Sequence, residues 1–288
     1  MIINEDTPVL VQGITGREGS FHTRLMKNYG TKIVAGVTPN KGGTSIEGVS
    51  VYNSVREALL NHQSIKFSVI FVPPIHCLNA ILEAIEANIP WIVVITEGIP
   101  VRDALWLVNY AQYRNCRIIG PNTPGLIVPG RVKIGIIPSN AFVPGKIGLI
   151  SRSGTLTYEV GNALKATGLG VSTAIGLGGD PILGTTLLDM ARMLEVDPNT
   201  KAIVVLGEIG GNMEQELASA ISEGTITKPT VAYIAGITAP QGKRMGHAGA
   251  ILSASTGSAL EKLRRLKAAG SHIVETPWQI PDTVKNLL

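Results

Sequence analysis

The sequence has few aromatic residues, which make up 5% of its 288 residues, although 44% of the chain is hydrophobic. Core volume must therefore come mainly from Ile, Val, Leu and Ala, and the 33 glycines indicate many tight turns. This composition is typical of buried parallel strands that are joined by short loops. The length is enough for one large domain or for two ordinary ones.

Cysteine, net charge and long apolar runs are also scarce. Only Cys77 and Cys116 are present, without a metal-binding spacing, which favours a reducing compartment. A formal charge of +4 without a basic run gives no indication of a nucleic-acid partner, whereas a few local cations suit a phosphorylated small molecule. Apolar runs such as "WIVVI" are too short to span a membrane. The first strand is expected within the first ten residues, which leaves no room for a signal sequence, and we expect a soluble, cytoplasmic protein.

Short apolar runs alternate with amphipathic stretches in both halves of the chain. Those of the first half are apolar on both faces, as buried parallel strands are: "PVLVQG", "TKIVAGV", "FSVIFVPP", "WIVVITEG" and "RIIGPN". Their order predicts right-handed crossovers and a doubly wound α/β sheet. The alternation resumes after a stretch rich in Pro and Gly at 120–145, with helices expected near 155–167, 183–194, 212–223 and 258–269.

These patterns predict two α/β domains, residues 1–125 and residues 126–288. In open α/β sheets the ligand crevice lies at the carboxyl ends of the strands, and glycine-rich turns follow the strands in both halves. We therefore expect two sites, one in each domain.

The first candidate site is the glycine turn in "VLVQGITGREGSFH", which reads as strand, turn and helix. Gly13, Gly16 and Gly19 are spaced GxxGxxG rather than GxGxxG, and amides at such a helix start can hold a phosphate. The acidic residue that binds the ribose of NAD is missing after the second strand, where Lys41 follows instead. NAD is therefore disfavoured, while NADP and coenzyme A both remain open.

The second candidate site is centred on His247 in "GKRMGHAGAI", which predicts a loop because Gly246 and Gly249 disfavour a helix interior. This loop follows a predicted strand, and Glu208 ends another strand, "IVVLGEIGG". A carboxylate that accepts the Nδ1 proton would orient the imidazole and leave Nε2 as a nucleophile. The alternative is that Glu208 only caps the following helix.

An anion seat is predicted beside these residues in "ISRSGTLTYE", where Ser153, Gly154 and Thr155 open a helix. Lys243 and Arg244 could neutralise a phosphate dianion, or they could be solvated loop cations. Together, a nucleophilic imidazole, an orienting acid and a phosphate seat indicate a phosphohistidine site.

The stretch "GITAPQGKR" is not a nucleotide-triphosphate loop. Five residues separate its glycines instead of four, and Arg244 stands where a magnesium-binding Ser or Thr is required. A nucleotide that phosphorylates His247 would therefore be held by another polypeptide.

Taken in order, these motifs resemble those of the α subunits of succinyl-CoA synthetase (succinate–CoA ligase), and the resemblance covers essentially the whole chain. It rests on "QGITGREGSFH", "GVTPNKGGT", "VITEGIP", "GPNTPG", "ISRSGTLTYE", "GGDP", "GEIGG" and, above all, "GKRMGHAGAI". The resemblance implies a Rossmann-like CoA-binding domain followed by a flavodoxin-like ligase domain. It also implies a β subunit whose ATP-grasp domain holds Mg²⁺ and ATP or GTP, in an αβ or α2β2 assembly.

The same resemblance implies a role for individual residues. The residues that would contact coenzyme A are Thr15, Gly16, Arg17, Glu18, Lys41, Ile95, Thr96 and Glu97. His247 would be the phosphorylated residue and Glu208 its partner. The residues that would seat phosphate and acid substrate are Ser153, Gly154, Thr155 and Tyr158, and no metal ligand is implied.

The implied reaction is reversible: succinyl-CoA, phosphate and NDP give succinate, CoA and NTP through succinyl phosphate and phospho-His247. Thr123 departs from the cysteine usual in this family, so a thiol is not required there, and the preference for the acyl group could differ. Three alternatives remain: a citryl-CoA or malyl-CoA synthetase subunit with the same mechanism, an NADP-dependent reductase, and a CoA-sensing module without turnover.

Overall fold

The computed structural model describes residues 3–240, 242–251 and 257–288. Within these residues the strands form two sheets of the α/β type, each with helices packed on both faces. No helix in the described ranges is long and apolar enough to cross a membrane.

The first sheet is built from the first part of the chain. Its strands are β1 (Val9–Gln12), β2 (Ile33–Val37), β3 (Ser45–Ile46), β4 (Val49–Tyr52), β5 (Phe67–Ile70), β6 (Trp91–Val94) and β7 (Arg117–Ile119). They lie in the order β3-β4-β2-β1-β5-β6-β7, and all pairs except β3 with β4 are parallel. This confirms the predicted doubly wound sheet, and its strand order reverses between β1 and β5.

Both faces of this sheet are covered because its central strands are apolar throughout. All four residues of β1 are buried; Val9 and Val11 face one hydrophobic cluster and Leu10 faces the other. The covering helices are α1 (Arg17–Asn28), α2 (Val55–Asn61), α3 (Pro74–Glu86) and α4 (Val101–Tyr113).

The second sheet is also mainly parallel. Its strands are β8 (Gly125–Val128), β9 (Val132–Gly135), β10 (Pro144–Ser151), β11 (Val171–Gly176), β12 (Ala202–Glu208), β13 (Thr230–Ala235) and β14 (His272–Ile273). They lie in the order β14-β13-β12-β10-β11-β8-β9. For the five parallel strands this is the flavodoxin-like order 2-1-3-4-5, which reverses between β10 and β12.

The helices of this half are α5 (Gly154–Ala166), α6 (Leu187–Glu195), α7 (Met213–Ser222), α8 (Ala259–Ala268) and α9 (Ile280–Lys285). Short 3-10 turns lie at Ser139–Ala141 and Pro277–Gln279. The predicted bounds of α5, α7 and α8 agree with the structure to within one residue.

Helix α6 begins later than the sequence pattern predicts. It starts at Leu187 instead of near residue 183, because Thr186 and Asp189 form a capping box that satisfies the first amides. The preceding Gly184 lies so close to Ile118 that a Cβ would be 2.4 Å from the Ile118 Cβ. Gly184, which precedes the cap, therefore packs against the first half of the chain and is not part of the helix.

The Pro- and Gly-rich stretch at 120–145, in which we expect only a boundary, contributes two strands. β8 and β9 form an antiparallel pair at the edge of the second sheet, and β8 pairs antiparallel with β11. Every residue of both strands is buried, because their runs "GLIV" and "VKIG" are almost wholly apolar. The division of the chain between residues 125 and 126 stays a prediction.

Candidate active site

A cavity of about 680 Å³ opens where the strand order of the first sheet reverses, at the carboxyl ends of β1, β2 and β5. Its size lies within the range of cavities that bind small organic ligands. Its lining consists of Gln12, Gly13, Val37, Thr38, Pro39, Phe71, Val72, Pro73, His76, Asn79, Ala80 and Glu83. A cavity therefore lies at the crevice where the sequence predicts the first site.

The glycine turn brings helix α1 close to this cavity. A Cβ on Gly19 would lie 2.1 Å from the carbonyl oxygen of Gly13, and Gly13 itself has a φ of 80°. Gly16 occupies the N-cap, and no side chain of the described residues caps this helix start. The first amides of α1 are thus suited to bind an anionic group, with help from the helix dipole.

The residues predicted to contact coenzyme A differ in their distance from the cavity lining. Thr15 Oγ1 donates a hydrogen bond to Thr38 Oγ1 at 3.1 Å, and Thr96 Oγ1 donates one to the carbonyl of Val72 at 2.6 Å, so both touch lining residues. Gly16 is the N-cap described above.

The remaining predicted coenzyme A residues are not among those that line the cavity. Arg17 and Glu18 are largely exposed, Lys41 is an exposed turn residue, and Ile95 faces Gly135 of β9. Glu97 is exposed and lies 4.0 Å from Arg244 of the histidine loop. The assignment of these residues to coenzyme A stays a prediction.

The second site lies where the strand order of the second sheet reverses. Glu208 ends β12, and Arg152 directly follows β10, which pairs with β12 in parallel so that Ser151 faces Leu206. The two side chains therefore meet at the sheet edge, with Arg152 Nη2 3.1 Å from Glu208 Oε1. Both residues are more than nine-tenths buried.

His247 binds the other oxygen of the same carboxylate. Its Nδ1 lies 2.7 Å from Glu208 Oε2, which confirms that the two predicted residues meet and shows that Glu208 does not merely cap α7. The contact occupies Nδ1, and among the described residues no hydrogen-bond partner is found for Nε2. The side chain is 32% exposed, so the imidazole is accessible from one side.

The imidazole rests on a glycine loop that follows β11. A Cβ on Gly179 would lie 2.5 Å from the ring carbons of His247, so only glycine allows this approach. The amide of Gly249 donates to the carbonyl of Gly179 at 3.0 Å and ties the histidine loop to this support. The adjacent Asp180 is buried and accepts a hydrogen bond from Asn122 Nδ2 at 3.0 Å.

The surrounding charges set the proton affinities of this site. The hydrogen bond with Glu208 raises the pKa of His247 above its ordinary value, while burial and the charge of Arg152 oppose that rise. Burial raises the pKa of Asp180, and its hydrogen bond with Asn122 counteracts this effect. Glu208 therefore favours a protonated Nδ1, as an orienting carboxylate does.

The predicted anion seat is the start of α5, with Ser153 as its N-cap. Ser153 Oγ accepts from the amide of Leu156 at 3.3 Å, so this hydroxyl is already used as a helix cap. Tyr158 Oη would lie 3.6 Å from a Cβ on Gly154, which places these two predicted substrate residues side by side. Burial raises the pKa of Tyr158. Thr155 lies in the first turn of the same helix.

Arg152 and Lys262 are absent from the candidates drawn from the sequence. Arg152 lies inside "ISRSG", and a cation that directly follows a buried strand is the signal that could have identified it. Lys262 looks like one cation of a polar helix, "ALEKLRRLKA", although it is fully buried. No group of three or more metal-ligating side chains lies close enough to hold a metal in the described part of the chain.

Two family models match the chain. The model described as "CoA binding domain" matches residues 4–98, and the model described as "CoA-ligase" matches residues 150–271. The first match contains the cavity at β1, and the second contains Arg152, Glu208 and His247.

Curated relatives match over the full length. The succinate–CoA ligase [ADP-forming] subunit alpha of Aquifex aeolicus is 51% identical over all of this chain and 94% of that protein. The corresponding subunit of Methanothermobacter thermautotrophicus is 49% identical over 99% of this chain and 96% of that protein.

Solved structures show the same fold. ATP citrate lyase from Methanothrix soehngenii, in complex with citrate and coenzyme A, has a TM-score of 0.89 at 25% identity. The match covers all of this chain but 52% of that one, so this chain spans about half its length. An acetyl-coenzyme A synthetase from Ca. Korarchaeum cryptofilum has a TM-score of 0.80 at 22% identity, over 98% of this chain and 61% of that one, and shows likeness of fold alone.

Proposed function

This chain belongs to the succinate–CoA ligase alpha subunits, and we propose that it converts succinyl-CoA, phosphate and NDP reversibly into succinate, CoA and NTP through a phosphohistidine at His247. The observation that carries the mechanism is the imidazole itself, whose Nδ1 contacts Glu208 at 2.7 Å while one side of the ring stays exposed. A histidine held in this way presents Nε2 as its nucleophile.

The reaction takes place in three displacements. Phosphate attacks the thioester carbonyl, the CoA thiolate leaves, and succinyl phosphate forms. His247 Nε2 then attacks the phosphorus, and succinate leaves as a carboxylate. Finally the phosphoryl group moves from Nε2 to the terminal phosphate of the NDP. Each step forms one bond as another breaks, so no redox partner is required.

Glu208 and Arg152 act on the second displacement. When Nε2 forms its bond to phosphorus, positive charge develops on the ring, and the Glu208 carboxylate at Nδ1 stabilises that charge. Arg152 binds Oε1 of this carboxylate, so the other oxygen, Oε2, stays directed at the imidazole. Ser153, Gly154 and Thr155 at the start of α5, with Tyr158 beside them, are proposed to seat the phosphate and the acid.

Coenzyme A is proposed to occupy the cavity of the first sheet. The uncapped start of α1 and the close turn at Gly13 fit its phosphate groups, with Thr15, Gly16, Arg17, Glu18 and Lys41 on one side. Ile95, Thr96 and Glu97 are proposed on the other side. Titrating CoA and NADPH against the chain tests this choice, because tight NADPH binding without CoA binding would support a reductase instead.

The nucleotide is proposed to lie on a partner. The relatives are named alpha subunits, which implies a beta subunit, and we propose that its ATP-grasp domain holds Mg²⁺ with ATP or GTP in an αβ or α2β2 assembly. A cytoplasmic location is proposed as well, supported by the free thiols of Cys77 and Cys116.

Citrate is the second candidate acid, because the matched citrate lyase structure contains citrate and coenzyme A. Malate is retained only through the resemblance of the histidine loop. Rates with succinate, citrate and malate, measured on the complex with its native partner subunit, decide among the three acids.

The phosphohistidine is tested by labelling the complex with [γ-³²P]ATP and Mg²⁺. We expect an acid-labile, base-stable label on this chain, and none in His247→Asn. A label that persists in His247→Asn would remove the assignment.

A further inference from the structure

Lys262 of α8 is a fully buried cation beside the site. Its Nζ donates hydrogen bonds to the carbonyl oxygens of Glu208 at 2.7 Å and Gly210 at 2.6 Å, and also to Glu214 Oε2. All three donors of the ammonium group are therefore used, and two of them hold the main chain directly around Glu208.

Glu214, in the first turn of α7, completes the arrangement. Its side chain is fully buried, and Oε1 accepts from the amide of Glu208 at 3.3 Å. A Cβ on Gly207 would lie 2.5 Å from Glu214 Oε1, so glycine is needed for this approach. Both peptide groups that flank the Glu208 side chain are thus bound by one buried ion pair.

A buried ion pair of this kind contributes little net free energy to the stability of the fold. Removing two charges from water offsets most of their attraction, and apolar residues of similar volume are often at least as stable. Apolar residues, however, could not make the hydrogen bonds that fix the main chain of Glu208.

The same pair anchors the chain beyond the histidine loop. Lys262 lies in the first helical turns after Gly257, whose carbonyl accepts from the amide of Gly210 at 2.9 Å. Arg152 Nη1 also donates to Gly210 at 3.1 Å. The segment Glu208–Gly210 is therefore held by α7, by α8 and by Arg152, which follows β10.

We propose that Lys262 and Glu214 are positioning residues that fix the main chain of Glu208, and through it the Nδ1–H form of His247 that leaves Nε2 to react. This inference rests on the proposed function for its consequence in catalysis, whereas its structural part is measurable without turnover. Among the described residues, the imidazole has its hydrogen bond with Glu208, and neither Lys262 nor Glu214 is bonded to it.

The test replaces the pair with apolar residues, Lys262→Met with Glu214→Met, which leaves no unpaired buried charge. Lys133→Met is the matched control, because Lys133 is also buried and donates to a carbonyl, that of Ile137, at 2.9 Å. The full chain with ¹⁵N-labelled histidine reports the tautomer and pKa of His247, whose signal among five histidines is assigned with His247→Asn.

For the double variant we expect cooperative unfolding near the wild-type temperature, mixed tautomers at His247, and a pKa that moves down toward 6.5. Labelling of the variant complex should slow on the order of a hundredfold, because misplacing a reacting group by about 1 Å has that effect. Lys133→Met should leave both the His247 ring signals and the labelling unchanged.

A folded double variant that keeps the wild-type tautomer and pKa would overturn the proposal. If the double variant does not fold, Glu214→Gln takes its place, since Lys262 keeps both carbonyl contacts there. A smaller downward shift of the His247 pKa is then expected, and an unshifted value would overturn the proposal. Absence of label in the wild-type complex would instead count against the proposed function, while the ring signals still test the positioning.

Discussion

At the scale of single residues, His247 depends on partners that are distant in sequence. Glu208 could be predicted because it ends one buried strand and His247 lies in the loop after the next, so both come to the same sheet edge. Arg152 could have been predicted by the same argument. Lys262 could not, because its burial depends on the polar turn at Glu208 and not on the pattern of its own helix.

Replacing Glu208 with glutamine should change the pH profile of phosphorylation. The neutral imidazole is the nucleophile, so labelling rises as pH passes through the raised pKa of His247. In Glu208→Gln the midpoint should move down toward 6.5, and the maximal rate should fall by roughly tenfold to a hundredfold. Labelling rates measured from pH 5 to 9 check this.

The exposed Glu216→Gln serves as the control and should behave like the wild type. An unchanged midpoint in Glu208→Gln would show that the carboxylate does not set the pKa of the ring. Because the folded pKa of His247 lies above the unfolded value, its contribution to stability is complete below about 6.5 and is lost as pH rises through the folded pKa.

Thr123 has a structural role in this chain that a cysteine would perform less well. Its hydroxyl donates to the carbonyl of Gly176 in β11 and accepts from the amide of Gly125 at 2.9 Å. Thr123→Val should lower the free energy of unfolding by about 1–3 kcal/mol, because both buried groups lose their partner. Urea unfolding checks this, with Thr123→Ser as a control that keeps the hydroxyl. An equal free energy of unfolding for Thr123→Val and the wild type would contradict the prediction.

At the scale of elements, the sequence predicts most of the helices and strands because their apolar periods are regular. Among the exceptions are β8 and β9, whose runs lie among Pro and Gly; β8 pairs with β11, and β9 pairs with β8. The late start of α6 is a second exception, since the helix begins only after its cap at Thr186, and Gly184 before the cap packs against Ile118. Both exceptions arise from contacts between distant parts of the chain.

The loop after β11 offers a direct test of how the imidazole is supported. A methyl group on Gly179 would lie 2.5 Å from the ring of His247, so Gly179→Ala should displace the ring and slow labelling on the order of a hundredfold. Gly168→Ala is the control, because its φ of 75° makes it strained although nothing lies near the new methyl group. This control should lose stability but label normally; normal labelling of Gly179→Ala would contradict the support role.

At the scale of the whole molecule, two sheets each place a site where their strand order reverses, and their loops meet between them. Asn122 of the first half binds Asp180 of the second, and Glu97 lies 4.0 Å from Arg244 of the histidine loop. The sequence predicts both crevices but not this junction, because no periodic pattern encodes contacts between side chains of separate loops.

A division of labour between subunits follows from this arrangement. The isolated chain should take no label from Mg-ATP but should be labelled by succinyl phosphate, since the proposed acyl phosphate step uses residues of this chain alone. Adding the partner subunit should restore labelling by Mg-ATP. Rapid labelling of the isolated chain by Mg-ATP would show that a nucleotide site lies on this chain.

The most direct measurement is the position of the phosphoryl group on the imidazole, determined by ³¹P and ¹⁵N NMR of the freshly phosphorylated complex. Because Nδ1 contacts Glu208 at 2.7 Å, the phosphorus should be bonded to Nε2 of His247. Phosphate on Nδ1, or on any residue other than His247, would contradict the account.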